Sequence, residues 1–218
     1  MRSALLICSV LAVFFAAWQS HPPHVLAPFA QASPNTAKVA APPQYTSRFV
    51  STQLTDFVHS SSVTALPGGD LMAVWFAGSR EGAADVQVRT ARFDAHSGEW
   101  GAEQVLATRE STRDGTQRYI RKLGNPVIAL APDKRLWMFY VSVSVGGWAA
   151  SAINVMVSDD LGASWSAPRQ LVTSPFFNIS TLVRAAPVFH ADGSIGLPVY
   201  HEFMGKFAEY LYLSADGA

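Results

Sequence analysis

The chain holds one cysteine in 218 residues, Cys8, close to the amino terminus. A body folded from the rest of the chain has no disulfide and no thiol chemistry. Sixteen basic residues balance sixteen acidic ones, so the formal net charge is zero. Neutrality argues against a nucleic-acid partner and against a polybasic membrane surface. No apolar run reaches the roughly 20 residues of a membrane-spanning helix. Beyond the amino terminus no long stretch keeps a helical period, so helix is scarce. No His, Cys or Asp cluster has ligand spacing, and neither a metal nor a cofactor is expected.

What the sequence has instead is strand. Short runs rich in Val, Tyr, Phe and Trp recur between Gly, Asp and Pro turns, which reads as an all-β protein. Met1-Arg2 and the apolar run Ala4 to Trp18 (15 residues) form a short basic start and a hydrophobic segment. Residues 1–18 read as a signal peptide or an amino-terminal anchor. Leu5-Leu6-Ile7 before Cys8 makes a poor lipobox, and Ala30-Gln31-Ala32 has the form of a cleavage site. Residues 19–44, with Pro22, Pro23, Pro28, Pro34, Pro42 and Pro43, read as a semi-extended linker. The expectation is an exported protein, periplasmic or secreted, with any inner-membrane anchoring made through this segment alone. The folded body is expected over residues 45–218.

That body repeats. Trp100 and Trp165 lie 65 positions apart, and so do Leu71 and Leu136. Each segment runs apolar strand, Asp or Gly turn, apolar strand, loop, apolar strand, turn. The first segment spans Ser61–Leu106, the second Asn125–Val172, and the third starts at Arg184. The second ends on Ser158-Asp159-Asp160-Leu161-Gly162-Ala163-Ser164-Trp165, an S-x-D-x-G-x-x-W pattern. Asp160 can accept hydrogen bonds from loop amides. Gly162 supplies a positive φ. Trp165 packs back under the loop with one polar handle. The first segment ends on a degenerate version, Asp94 to Trp100.

The pattern resembles the Asp-box of sialidases and related β-propellers, in which Ser158, Asp160, Gly162 and Trp165 would staple a blade and do no chemistry. The stretch His59–Arg92 resembles the opening blade of bacterial predicted sialidases with BNR repeats. Its matching core is Trp75 to Gly82 with Asp85-Val86. Asn125-Pro126-Val127 and Pro198-Val199-Tyr200-His201-Glu202 match the second and third blades. The resemblance covers about Phe57 to Ala218. It implies a sialidase-like β-propeller present incompletely, about three blades of an expected six, as the first part of a longer protein. Ser214 to Ala218 would open a further Asp-box. The implied activity is that of an exo-glycosidase releasing terminal sialic acid or a similar acidic sugar, with a glycan as partner.

Three clusters are candidates for that site. In the first, Glu81 or Asp85 would act as general acid. Arg80 would clamp a substrate carboxylate, and His59 would contact substrate. The plain alternative is a loop in which Arg80, Glu81 and Asp85 pair with one another. In the second, Asn125 would present its amide and Trp148 a stacking surface; alternatively one shapes a turn and the other is core. In the third, Glu202 would polarise a tyrosine nucleophile, for which Tyr200 is the candidate here, or act as a base, although the resemblance puts the family's own tyrosine and a further arginine in late blades. Arg184 and His201 would bind substrate there, Arg184's alternative being an ion pair at the blade edge. Sialidases are exceptional among glycosidases in using tyrosine. The chain departs from them at Val58-His59-Ser60-Ser61-Ser62, where their Arg-Ile-Pro motif would supply an arginine. Two other readings stay open: a propeller lyase for uronic-acid polymers, with His59, Tyr200, His201 and Arg80, and a non-catalytic carbohydrate-binding propeller.

Overall fold

The computed structural model describes residues 2–19, 27–29, 45–51, 57–173, 178–203 and 205–214. Most of the expected linker, the Ala30–Ala32 site and the last four residues of the chain lie outside them. Helix α1 (Arg2–Gln19) carries the amino-terminal apolar run, with Leu5, Leu6 and Leu11 exposed. Among the described residues no helix is long and apolar enough to cross a membrane.

Among the described residues thirteen strands form three antiparallel sheets. The first sheet contains β1 (Phe57–Ala65), β2 (Leu71–Gly78), β3 (Gln87–Asp94), β4 (Glu99–Trp100) and β5 (Gln104–Ala107). Helix α2 (Arg109–Thr116) leads into the second, of β6 (Lys122–Leu130), β7 (Leu136–Val143), β8 (Ser151–Ser158) and β9 (Arg169–Gln170). The third has β10 (Leu182–Val183) and β11 (Val188–Phe189) on one side of β12 (Ile195–His201) and β13 (Phe207–Leu213) on the other. The two repeats and the partial third are thus three blades.

Period-2 alternation explains how the blades stack. Strand β7 is buried along its whole length. Its Leu136, Met138 and Tyr140 enter a core with Met72, Val74 and Phe76 of the first blade. Its Trp137, Phe139 and Val141 enter a second core with Leu182, Ile195 and Leu197 of the third. Each such side chain contributes about 1.5–3 kcal/mol by leaving water. A continuous apolar run is what a strand covered on both faces requires.

The inner strands face a different problem, since each has a free edge with unpaired backbone groups. On β6 that edge is met by hydroxyls of the first blade: Ser62 Oγ accepts from Ile128 N and Thr64 Oγ1 from Leu130 N, both at 3.1 Å. Below β11 the chain itself does the work. Phe29 pairs with His190, and Pro28 O accepts from Ala191 N at 2.7 Å.

Helix α2 departs from the sequence expectation. It is short, and a capping box starts it: Thr108 Oγ1 accepts from Ser111 N and Ser111 Oγ from Thr108 N. Thr112 on this helix is fully buried and bonds the Tyr140 hydroxyl at 2.9 Å. Burial raises the Tyr140 pKa well above its usual value. Eight residues are too few for an amphipathic period to stand out.

Candidate functional site

Strand direction separates the molecule into two ends. Phe57 pairs Gly78, Lys122 pairs Val143 and Leu182 pairs Tyr200, so each inner strand starts at the same end of its blade. The loops 79–86 and 144–150 and residues 202, 203, 205 and 206 lie at that end. The turns 94–99 and 158–166, which carry the Asp-box and its degenerate copy, lie at the other. Every residue singled out for chemistry from sequence falls at the first end, called here the mouth.

At the Asp-box the expected staple is present. Asp160 accepts from Ser158 Oγ and Ser164 N, both at 2.8 Å, and from Ser164 Oγ at 2.6 Å. These bonds, that of the Ser164 hydroxyl first, lower the Asp160 pKa to about 2. Gly162 has φ +94° and donates to Ser158 Oγ, and a side chain there would collide with Met72 of the first blade. Trp165 packs half-buried on the core between the blades, but its indole N–H finds no partner among the described residues. The polar handle expected of it is therefore not used.

The mouth is built on irregular backbone. In β1 the register slips between His59 and Ser62, in β6 between Gly124 and Val127. Ser60 (φ +53°) and Asn125 (φ +46°) occupy these bulges in the left-handed region, which costs a residue with a side chain energy. In the third blade the inner strand breaks between Val183 and Val188, and Arg184 stands at the corresponding level. Bulges re-aim side chains and collect beside active sites. Here they produce a chain of contacts across three blades. Ser60 Oγ donates to Asn125 Oδ1 at 3.1 Å, and Asn125 Nδ2 donates to Tyr200 Oη at 3.4 Å.

Tyr200 accepts the amide, so its own O–H is available to a ligand. Burial raises its pKa, the Glu202 charge raises it further, and the Asn125 bond and Arg184 charge oppose both. Tyr200 is therefore a neutral phenol near neutral pH, within the fields of both Glu202 and Arg184. Arg184 is exposed and has no ion pair among the described residues. The blade-edge pairing considered for it is not made.

The other candidates are placed differently. Asp85 accepts from Ser79 N and Ser79 Oγ, both at 3.0 Å, and these bonds, the hydroxyl's first, lower its pKa. It staples the loop and is a poor proton donor. Arg80 and Glu81 are exposed on the same loop, and neither forms an ion pair among the described residues. His59 is exposed with its ring edge on Phe76, and it lines a cavity of about 560 Å³ with Val50, Ser60, Trp75 and Glu103. His201 turns to β13, stacking on Phe207 with Nε2 2.8 Å from Glu209. Strand β12 ends at His201, which leaves Glu202 in the loop beyond it. Trp148 is half-exposed and leans on Gly124, next to Asn125. No cluster of three or more His, Cys, Asp or Glu that could hold a metal occurs among the described residues.

Sequence reading gave Ser60 no role beyond its place beside His59, and it missed Lys122. The signal for Ser60 was there: it precedes Asn125 by 65 positions, the offset of the tryptophan pair. Lys122 carries no motif and is visible only in space.

Solved structures share this fold. A Hadza microbial sialidase matches at 15% identity and a TM-score of 0.59, over 75% of this chain and 36% of that one. The intramolecular trans-sialidase of Ruminococcus gnavus, in complex with oseltamivir carboxylate, matches at 12% and 0.53, over 75% and 61%. The Trypanosoma rangeli sialidase in complex with sialic acid matches at 14% and 0.51, over 76% and 30%. The chain thus spans between three tenths and about three fifths of those proteins' lengths. At such identities the likeness shows the fold alone. That fold is all-β, an incomplete sialidase-like β-propeller. No curated protein matches the chain. The family model described as a BNR repeat-like domain matches residues 69–218, and the chain belongs to that family.

Proposed function

We propose that this protein is an exo-glycosidase of sialidase type, removing a terminal sialic acid or a similar acidic sugar from glycans. The observation that carries this reading is the convergence of Asn125, Tyr200 and Arg184 at the mouth, from two blades, with Tyr200 inside the field of the Glu202 carboxylate. An arginine left unpaired there suits a carboxylate-bearing sugar. In this reading Arg184 binds the carboxylate and Asn125 orients the Tyr200 oxygen. As the tyrosine attacks the anomeric carbon, its proton passes to Glu202. Because Tyr200 is held neutral at rest, that transfer accompanies the attack. Glu81, whose carboxylate has no hydrogen-bond partner among the described residues, protonates the departing oxygen better than Asp85, which is bonded to Ser79.

The same Asn125, Tyr200 and Arg184 support a second reading, β-elimination from a uronic-acid polymer. There an amide and an arginine neutralise the carboxylate beside a phenol. One experiment separates the readings. The protein as produced from its natural gene is given a fluorogenic sialoside and, separately, a uronate polymer. Release of the fluorophore is the expected result. Ultraviolet-absorbing unsaturated product without fluorescence replaces hydrolysis by elimination. Silence on both from a folded protein overturns both and leaves a binding propeller.

We also place the protein outside the cytoplasm. The basic start and apolar helix α1 support this. Cell fractionation that recovers the protein only in the cytoplasm would contradict it.

A further inference from the structure

A second group of residues stands at the mouth beside Asn125. Lys122 begins β6 and points its ammonium at the Trp148 ring, 5.6 Å from the centroid. Two glycines make the arrangement fit. At Gly124 a Cβ would come within 2.9 Å of the Trp148 ring, so only a bare backbone admits the indole. At Gly82 a Cβ would come within 3.2 Å of the Lys122 stem, and this glycine also has φ +69°. Loop 79–86 of the first blade therefore closes on the lysine from one side, and the second blade's loop holds the tryptophan on the other.

The niche holds a cation that meets an aromatic ring. The described ion pairs engage Arg48, Arg89, Arg92, Arg113, Arg135 and His201, each with a carboxylate. Lys122 has no such partner among the described residues, and its half-exposed ammonium meets an aromatic face instead. A π face attracts a cation but accepts no hydrogen bond as strong as a carboxylate's, so the three N–H donors stay available. A half-exposed indole beside a free ammonium combines a flat apolar surface with a point of positive charge. This combination suits a sugar ring that carries a carboxylate or sulfate.

Lys122 and Asn125 are three residues apart on β6, with Gly124 between them under the Trp148 ring. The niche thus lies along the rim beside the Asn125–Tyr200 contact. We propose that Lys122 and Trp148 form a second subsite, which takes an anionic sugar adjoining the terminal one. The inference rests on the acidic-glycan reading above and extends it: the preferred substrate carries two neighbouring acidic sugars.

The test is calorimetric binding of two probes, N-acetylneuraminic acid and its α2,8-linked dimer, to the natural protein and to Lys122→Met and Lys122→Arg. The expected result is tighter binding of the dimer than of the monomer by the unmodified protein. Lys122→Met loses that preference by about tenfold and Lys122→Arg keeps it. Added salt erodes the preference in the unmodified protein and in Lys122→Arg only. Because Lys122 is half-exposed, all three proteins are expected to melt alike, and matching melts exclude misfolding as the cause. Equal binding of both probes by the unmodified protein, or an unchanged preference in Lys122→Met, overturns the subsite. A charge-dependent preference for the dimer with no sialoside turnover would instead keep the subsite and remove the hydrolytic reading.

Discussion

The two ends of these blades use the same residue types in opposite ways. At the Asp-box end carboxylates are saturated: Asp160 takes three bonds from Ser158 and Ser164. Asp192, in the turn between β11 and β12 at the same end of the third blade, takes bonds from Ser194 and Tyr212. At the mouth Arg80, Lys122 and Arg184 lack ion pairs, and the Tyr200 hydroxyl keeps its proton for a ligand. The difference teaches that a satisfied carboxylate marks a staple, as Asp85 also does at the mouth, and that a cation without an ion pair points to a ligand only where it stands with a polar or aromatic group, as Lys122 does with Trp148. Backbone strain follows the same division. Lys134 (φ +71°) sits in a turn at the Asp-box end, where the other two blades use Gly69 and Gly193. Ser60 and Asn125 are strained at the mouth, where their side chains join a network.

The sharpest way to break the comparison is to change one group at each end. Glu202→Gln is expected to lower turnover of a sialoside by about 10²–10⁴-fold, the range for losing a positioned acid or base. Its melting temperature should match the unmodified protein. Turnover within a factor of two would take Glu202 out of the mechanism. Gly162→Ala should do the reverse. The positive φ costs about 1–2 kcal/mol, and the Met72 end must also shift, while molecules that remain folded turn over normally. A denaturation midpoint equal to the unmodified protein's would remove the staple.

Acid sharpens the same contrast. The folded-state pKa values of Asp160 and Asp192 lie near 2, below the ordinary 3.8 of an unfolded aspartate. Their contribution is complete above about pH 4 and is lost as pH falls toward 2. Asp160→Asn is therefore expected to flatten the acid limb of a stability-against-pH curve in that window. An unchanged limb would mean that these bonds do not hold the turn.

The smallest effect separates two kinds of strain. Lys134→Gly should relieve the left-handed conformation and raise stability by up to about 1 kcal/mol, leaving turnover unchanged. Asn125→Gly relieves similar strain yet removes the amide held to Tyr200. It should be as stable as the unmodified protein or more so, and slower on substrate. Equal turnover in both variants would make the Asn125 bulge merely architectural.

Much of this was legible in the sequence, for stated reasons. The Asp-box could be read because a tight turn needs a positive φ at Gly162 and an acceptor at Asp160, and few residues meet either need. The stacked blades could be read from Leu136 to Val141, whose unbroken apolar run requires cover on both faces. Candidate residues at the mouth were found because they follow strands that repeat. Their roles were not legible, because these depend on contacts between blades. Nothing near Asp85 in sequence says that Ser79 fills both its oxygens. Nothing near His201 says that Glu209 and Phe207 draw it to the outer strand. Lys122 and Trp148 are 26 positions apart, and two unrelated glycines bring them together.

The most direct test of this division is one variant, Arg184→Met, read by thermal melting and by sialoside turnover on the same preparation. The account predicts an unchanged melting temperature and a collapse of turnover, because Arg184 binds substrate and nothing in the fold depends on its charge. A lowered melting temperature with normal turnover per folded molecule would contradict it and move the ligand site away from the mouth.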